Sequence, residues 1–249
     1  MSDTHPSICW IHGWAGHARV WARLTAEMPE YQHRFPSFSS VTAHQDFLPT
    51  IQAAIPPPPV VLVGWSMGGM LAIEAAAADG QVAGVVVIGG TSRFVSKDKS
   101  LGWAPVVIRR MQKTLKHDPD ATLRKFLKSM FSPAEIRDDL VEPYINNILG
   151  ANLLDESDFT VEGLAAGLDY LLAADVADAL ERLTMPVMWI HGSDDRISPV
   201  GAFEMCRGAL GERSNYTFDL VPGGGHALIW SRHRYICSRI REFAAVVDG

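Results

Sequence analysis

The most restrictive feature of this sequence is a glycine-rich turn between an apolar run and a helix-forming run. Residues 60–63 read Val-Val-Leu-Val, which is typical of a strand buried on both faces of a sheet. Gly64-Trp65-Ser66-Met67-Gly68-Gly69 follows, and residues 70–78 are mainly strong helix formers. The order of strand, tight turn and helix predicts a unit of a parallel sheet in which Ser66 projects from the turn.

Runs of both kinds alternate along much of the chain. We predict further strands over residues 7–11, 82–88, 187–190 and 216–221, and helices over residues 20–28, 47–55, 202–210 and 229–246. The pattern of residues 31–40 is ambiguous. The alternation indicates an α/β fold with a mostly parallel sheet that helices cover on both faces.

The strand pattern is interrupted between Gly90 and Pro186. Helices are predicted there over residues 104–116, 119–130, 133–147 and 161–172, and a proline near the start of each of the first three is typical of helix entry. We therefore predict a core made of residues 1–92 and 176–249, with a helical lid of residues 93–175 inserted into it.

The charge of the chain is unevenly distributed. The net charge is −6, yet residues 93–137 contain 11 of the 22 Lys and Arg and 4 of the 28 Asp and Glu, which gives this segment a charge of +7. A basic region on an acidic body can attract an acidic partner, and a solvated helical face would explain the same charges. Charge alone leaves both interpretations open.

Composition restricts the class of protein. A content of 47% hydrophobic and 20% charged residues suits one folded domain. We find neither a leader-like start nor a run of about 18 apolar residues, so we expect a cytoplasmic protein that does not enter a membrane. The spacing of Cys9, Cys206 and Cys237 fits neither a metal site nor a disulfide framework. We expect free thiols, no metal or organic cofactor, no nucleic-acid partner and a monomer.

Ser66 is the candidate nucleophile. Gly64-Trp65-Ser66-Met67-Gly68 fits the pattern Gly-x-Ser-x-Gly in its required context between a strand and a helix. Small residues are needed beside such a serine because a sharp turn strains the backbone, and the helix N-terminus favours developing negative charge. The alternative is a glycine-rich turn that contains an incidental serine.

A serine nucleophile needs a base, and the base needs a carboxylate that holds its tautomer. Two loops after late predicted strands carry such groups. Residues 191–199 contain Asp194 and Asp195, and three glycines precede His226 in the loop after residue 221. Both loops belong at the carboxyl ends of strands, where open α/β sheets build their sites.

The reaction would also need two hydrogen-bond donors for an oxyanion, and backbone N–H groups supply them without reorganisation. Met67 follows the nucleophile and is the first candidate. The loop His12-Gly13-Trp14 after the first strand offers the N–H of Trp14 as the second. The rings of Trp14 and Trp65 are candidates for the wall of an acyl pocket, or for ordinary core.

These motifs resemble those of the α/β-hydrolase superfamily, and most of all those of BioH-type pimeloyl-[acyl-carrier protein] methyl ester esterases of biotin synthesis. The resemblance extends over nearly the whole chain. It is carried by His12-Gly13-Trp14, the turn around Ser66, Phe94, and Gly167-Leu168 with Asp175 late in the lid.

The resemblance implies roles for these residues. The family spacing His-Gly-x-x-Asp favours Asp195 over Asp194, and the order serine, acid, histidine makes Ser66, Asp195 and His226 a catalytic triad. It further implies that Trp14 and Met67 form the oxyanion pair, and that Trp14, Trp65 and Phe94 contact the substrate. The implied reaction is hydrolysis of the pimeloyl methyl ester without a cofactor.

The family holds its acidic carrier protein through basic lid residues. The matching positions are Lys125 and Arg137, with Arg124, Lys128, Arg109 and Arg110 nearby. This implied partner agrees with the +7 segment, although a purely solvated surface remains the alternative.

Two departures from the family pattern leave the substrate open. Because 11 residues precede His12, we expect the sheet to lack the usual N-terminal hairpin, and residues 35–40 replace the usual Asp-x-Pro-Gly-x-Gly-x-Ser loop. The alternatives are a general short-chain carboxylesterase, a lyase on the same scaffold, or a non-catalytic protein that keeps the pocket as a ligand receptor.

Overall fold

The sheet at the centre of the molecule has six strands, all of which run parallel. In a computed structural model, which describes residues 5–149, 160–211 and 213–248, the order is β2-β1-β3-β4-β5-β6. The strands are β1 (Ser7–Ile11), β2 (His33–Arg34), β3 (Val60–Trp65), β4 (Val82–Ile88), β5 (Val187–Gly192) and β6 (Tyr216–Val221). The predicted α/β architecture with a mostly parallel sheet is confirmed.

Twelve helices are described, together with two short 3₁₀ turns at Ala18–Trp21 and His44–Asp46. They are α1 (Ala22–Glu27), α2 (Phe47–Ala54), α3 (Met67–Ala78), α4 (Pro105–His117), α5 (Pro119–Ser129), α6 (Pro133–Arg137), α7 (Val141–Leu149), α8 (Val161–Ala173), α9 (Ala177–Glu181), α10 (Val200–Leu210), α11 (Leu228–Ser231) and α12 (His233–Asp248). None of these helices is both long and apolar enough to cross a membrane.

Helices cover both faces of the sheet because the central strands are apolar on both sides. In β4, a Cβ atom built on Gly84 would meet the ring of Phe243 from α12, whereas the side chain of Val87 approaches Gly69 of α3. Residues an odd number apart in a strand point to opposite faces. Every residue of β3 is buried, as expected for a strand between two helical layers.

The parallel register gathers the carboxyl ends of the strands at one edge. The pairs near that edge are Ile11 with Gly64, Trp65 with Ile88, Ile88 with Ile190, and Gly192 with Val221. The loops that follow β1, β3, β4, β5 and β6 therefore meet there, which is where an α/β sheet builds a site.

Helices α4 to α8 lie between β4 and β5, and the two ends of this segment meet. Arg93 and Asp175 form an isolated antiparallel bridge and an ion pair of 3.4 Å, and Val176 N–H donates to Ser92 O at 2.8 Å. The predicted lid boundaries, 93 and 175, lie at this pairing. Residues 150–159 of the predicted lid lie outside the described residues.

Several predicted elements differ in detail. The single helix expected over residues 133–147 is two helices, because Asp139 adopts a left-handed conformation with a φ of 53° between α6 and α7. The helix expected over 229–246 is likewise α11 and α12. The two-residue β2 lay in the ambiguous stretch, and the five-residue α9 was missed, because such short elements depend on tertiary contacts rather than on periodicity.

Candidate active site

Ser66 lies at the tip of the turn between β3 and α3. Its φ of 59° and ψ of −122° are rare for a residue with a side chain, and its N–H donates to Ile88 O at 2.9 Å. The turn is possible because glycines flank it: a Cβ on Gly64 would lie 2.3 Å from Gly68 O, and one on Gly68 would lie 2.0 Å from Ile11 O. The surrounding backbone thus holds the serine in a strained, projecting position.

The structure brings Ser66, His226 and Asp195 together in a line of hydrogen bonds. His226 Nε2 lies 2.8 Å from Ser66 Oγ, and His226 Nδ1 lies 2.7 Å from Asp195 Oδ2. The side chains of His226 and Asp195 are both fully buried. Because the carboxylate accepts from Nδ1–H, Nε2 is left as the acceptor that faces the serine hydroxyl.

The loop after β5 fixes the carboxylate. Asp195 Oδ1 accepts hydrogen bonds from the N–H groups of Ile197 and Ser198, at 2.8 and 2.9 Å, which leaves Oδ2 for His226. Asp194, the competing candidate, is exposed, and its carboxylate accepts a bond of 3.4 Å from the neighbouring Ser193. The geometry therefore selects Asp195 as the partner of His226.

His191 is a buried neighbour of Asp195 to which the sequence assigned no role. Its ring is fully buried, stacks on Phe203 at 5.1 Å between centroids, and places Nε2 2.8 Å from Ser198 O. Burial lowers the pKa of His191, in spite of Asp195 Oδ2 at 3.8 Å. The neutral ring therefore stabilises the loop that holds Asp195 by its hydrogen bond to Ser198 O. Its position at the end of β5, directly before a glycine, is the signal that could have identified it.

The two proposed oxyanion donors belong to segments next to Ser66. Met67 is the first residue of α3, so its N–H has no acceptor within the helix. The loop that carries Trp14 touches the serine, since a Cβ on Gly13 would lie 2.8 Å from Ser66 Cβ and 3.4 Å from Ser66 Oγ. Their role as an oxyanion pair stays a prediction.

A small cavity lies next to this loop, and its volume is about 20 Å³. Trp14 and Met67 form one side, and Leu164 and Gly167 of α8 form the other. The ring of Trp14 is held in place by a 2.8 Å hydrogen bond from its Nε1 to Leu164 O. A space of this size holds about one water molecule, so it does not accommodate an acyl chain as it stands.

Trp65 and Phe94, the other predicted substrate contacts, have packing partners. Trp65 is fully buried and donates from Nε1 to His226 O at 3.0 Å, with its ring 5.6 Å from the imidazole. Phe94 packs against Trp103 at 5.7 Å. Neither side chain lines the small cavity. The hydrogen bond of Trp65 to His226 O supports His226 from within the core. Substrate contact by either side chain stays a prediction.

The predicted carrier-protein residues lie on the outer surface of the helical segment. Arg124 is paired with Asp120 at 2.9 Å and Lys128 with Glu142 at 3.1 Å. Lys125 is exposed and borders a largely apolar groove of about 480 Å³ between α4 and α5.

Arg137 is exposed at the end of α6. For Lys125 and Arg137, no carboxylate of the described residues lies within 4.0 Å. These two cations are therefore available to an acidic partner.

The part of the chain that the structure describes contains no group of three His, Cys, Asp or Glu side chains that could hold a metal ion. Cys9, Cys206 and Cys237 are buried free thiols. Burial raises the pKa of Cys9 to about 12 and that of Cys237 to about 11, so both are protonated at neutral pH.

A parallel α/β sheet with a serine on a strained strand-to-helix turn and a buried His-Asp pair at its carboxyl edge defines an α/β hydrolase. The family model described as alpha/beta hydrolase fold matches residues 6–232, and the chain belongs to this family. It is 30% identical to the pimeloyl-[acyl-carrier protein] methyl ester esterase of Xanthomonas oryzae pv. oryzae (strain MAFF 311018), over 97% of this chain and 96% of that protein.

Two further comparisons also find α/β-hydrolase relatives or the same fold. The chain is 30% identical, over 96% of its length, to the biotin biosynthesis bifunctional protein BioHC of Cellvibrio japonicus (strain Ueda107), of which it spans about half, 48%. The crystal structure of a bromoperoxidase from Bacillus anthracis matches with a TM-score of 0.78 at 19% identity, covering 96% of this chain and 92% of that one. The last likeness shows the fold alone.

Proposed function

We propose that this protein is a serine carboxylesterase that hydrolyses the methyl ester of pimeloyl-[acyl-carrier protein]. The observation that carries the proposal is the buried line from Ser66 Oγ through His226 to Asp195, with distances of 2.8 and 2.7 Å. The substrate is suggested by the names of the full-length relatives, which share this reaction in their printed description. That the enzyme works in the cytoplasm and as a monomer stays a prediction.

The reaction would proceed by acyl transfer in two steps. Ser66 Oγ attacks the ester carbonyl carbon while His226 Nε2 takes the hydroxyl proton, and Asp195 stabilises the resulting imidazolium. The N–H groups of Met67 and Trp14 receive the developing oxyanion. Collapse of the tetrahedral intermediate breaks the bond to the methoxy oxygen, which takes the proton from His226 and leaves as methanol.

Water then completes the cycle. His226 Nε2 removes a proton from a water molecule that attacks the acyl-Ser66 carbonyl. Collapse of the second tetrahedral intermediate then breaks the bond between the acyl carbon and Ser66 Oγ, and His226 returns the proton to Ser66 Oγ. The product is a free carboxyl group at the far end of the carrier-bound chain. Every proton in this scheme moves through His226 Nε2, which is why its 2.8 Å distance from the serine matters.

We also propose that residues 93–175 act as a lid. The cavity beside Met67 and Trp14 is roofed by α8 and is about 20 Å³, whereas a pimeloyl chain needs far more room. A shift of the helical segment would widen this cavity so that it could take the acyl chain. The joined ends at Arg93 and Asp175 would keep its attachment to the core fixed during this shift.

The acidic carrier protein would dock on the basic surface of the lid. We propose contacts from Arg124, Lys125, Lys128 and Arg137. Support comes from the +7 segment and from the exposure of Lys125 and Arg137 without a carboxylate partner in the described part of the chain. Long-range attraction between such surfaces raises the rate of encounter and weakens in salt.

The first test is release of methanol from the carrier-bound pimeloyl methyl ester, compared with hydrolysis of p-nitrophenyl butyrate, by the wild type and Ser66→Ala. We expect the serine variant to lose roughly 10⁴- to 10⁶-fold in kcat on both esters. A wild type that hydrolyses the small ester alone would reject the carrier-bound substrate and favour a short-chain esterase. A wild type inactive on both esters, with a serine that an organophosphonate does not label, would reject catalysis altogether.

The docking surface is tested separately with Lys125→Ala/Arg137→Ala. We expect this double variant to lose about 10-fold in kcat/KM on the carrier-bound ester at low salt, with less loss at high salt. Hydrolysis of p-nitrophenyl butyrate should not change. Arg234→Ala removes an exposed cation of α12 that lies 3.8 Å from Glu27, and it serves as the control. Equal losses on both substrates would contradict a docking role.

A further inference from the structure

The loop that carries His226 is tied to the helical segment as well as to its own neighbours and the core. Met130 O, at the end of α5, accepts the N–H of His226 at 2.6 Å and that of Ala227 at 3.3 Å. The hydroxyl of Ser132 donates to Gly223 O at 2.8 Å. The proposed base is therefore anchored to residues that precede α6.

Glu135 lies at the centre of this junction, and its side chain is completely buried. Its Oε2 accepts the N–H groups of Ser132, at 2.8 Å, and Gly225, at 3.1 Å, while its Oε1 accepts the Ser231 hydroxyl at 2.5 Å. Among the described residues no Lys, Arg or His lies within 4.0 Å of it. A buried carboxylate without a cation is costly, and these three donors offset that cost.

Helix capping explains part of this arrangement. Ser132 and Glu135 form a capping box at the start of α6, in which each side chain accepts the other's backbone N–H. A capping box needs neither full burial nor further partners. The bonds from Gly225, next to His226, and from Ser231 of α11 lie outside that motif and point to a second role.

The glycines of the loop show why such an anchor is needed. Three successive glycines precede His226, and Gly223 has a φ of 69°, so the loop has little conformational preference of its own. A Cβ on Gly225 would lie 2.5 Å from Glu135 Oε2 and 2.6 Å from Met130 O. Glycine is thus required for the carboxylate to reach the backbone, and the carboxylate in turn fixes the loop.

We infer that Glu135 is a positioning residue that holds the His226 loop so that Nε2 stays within hydrogen-bond distance of Ser66 Oγ. This inference rests on the proposed catalytic role of His226. Glu135 acts through hydrogen bonds to Gly225 and Ser231 and does not touch the substrate. It also couples the proposed lid to the base, because a displacement of residues 130–135 displaces His226.

The test compares Glu135→Ala with Glu135→Gln on p-nitrophenyl butyrate. The alanine variant should lose roughly 100-fold in kcat with little change in KM, the loss expected when a catalytic group is misplaced by about 1 Å. The glutamine variant should recover most of this loss, because its amide oxygen can accept the two N–H groups while its NH₂ donates to Ser231 Oγ. The NMR signal of the His226 Nδ1–H proton should weaken in the alanine variant and persist in the glutamine variant.

Asp118→Ala is the matched control, since it removes a cap of α5 in the same segment, the bond to Ala121 N–H, without contact to the His226 loop. Its kcat and imidazole signal should stay as in the wild type. If Glu135→Ala does not fold, Ser231→Ala removes one of the three donors and should lower kcat several-fold at constant KM. The inference would be overturned if Glu135→Gln lost as much kcat as Glu135→Ala. It would also be overturned if Ser231→Ala and Glu135→Ala both kept the wild-type kcat. A wild type without Ser66-dependent activity would instead overturn the proposed function.

Discussion

The turn at Ser66 and the loop at His226 reach the same site by different means. Ser66 is held within the sheet: β3 and α3 flank it, its N–H donates to Ile88 O of β4, and Gly68 packs against Ile11 O of β1. His226 follows three glycines and is held by Met130 and Glu135, which lie about ninety residues earlier. The proposed nucleophile is thus held by the core alone, whereas the proposed base depends on the inserted helices as well as on Trp65 and Asp195 of the core.

The largest effect should come from the carboxylate that orients the base. In Asp195→Asn an NH₂ group replaces Oδ2, because the remaining oxygen accepts the N–H groups of Ile197 and Ser198. An NH₂ group cannot accept from His226 Nδ1–H, so the imidazole is driven toward the wrong tautomer. We expect a loss of roughly 10⁴-fold in kcat on p-nitrophenyl butyrate. The neighbouring change Asp194→Asn should cost less than about 2-fold, because that side chain is exposed and lies outside the hydrogen-bonded line. Similar losses in both variants would break the assignment of the acid.

The next effect should come from crowding the local turn. A Cβ on Gly68 would meet Ile11 O at 2.0 Å, so Gly68→Ala must displace the backbone beside Ser66. We expect kcat to fall by roughly 100-fold and the free energy of unfolding to fall by about 1–3 kcal/mol. Gly80→Ala, where no atom lies within 4 Å of the added Cβ, is the control and should change stability by less than about 1 kcal/mol. An active, stable Gly68→Ala enzyme would show that the turn is not held as tightly as its contacts indicate.

The smallest effect concerns stability on the side of the base. Burial lowers the pKa of His191 in the folded protein, so the unfolded chain binds more protons between the folded and unfolded pKa values. The contribution of neutral His191 is therefore complete above the unfolded pKa of about 6.5 and is lost as the pH falls below it. His191→Gln keeps a donor for Ser198 O, and we expect it to flatten the fall in unfolding free energy between pH 7 and pH 5. One proton accounts for at most about 1.4 kcal/mol per pH unit. If the dependence of unfolding free energy on pH is the same in this variant as in the wild type, His191 does not contribute to it; chemical denaturation at each pH measures this.

The same contrast explains how far the sequence could predict the molecule. The strands of residues 7–11, 82–88 and 216–221 and the turn at Ser66 were predictable, because their signals are local. The sequence also pointed to Asp195 and His226, since the family spacing favoured Asp195 over Asp194, and the geometry pairs the same two side chains. The contacts of Glu135 with Gly225 and of Trp65 with His226 were not foreseen, because their partners are 90 and 161 residues away in the sequence. The hydrogen bond of His191 to Ser198 is nearer in sequence but depends on how the loop folds.

Because the inserted helices leave and rejoin the core at Arg93 and Asp175, they have the form of a module that could be exchanged between relatives by cutting the gene at two places. The junction around Glu135 limits that freedom. A transplanted segment would bring its own acceptors to a glycine loop shaped for different ones, so a working chimera would have to carry residues 223–231 along with 93–175. Substrate preference and the catalytic base would then be inherited together.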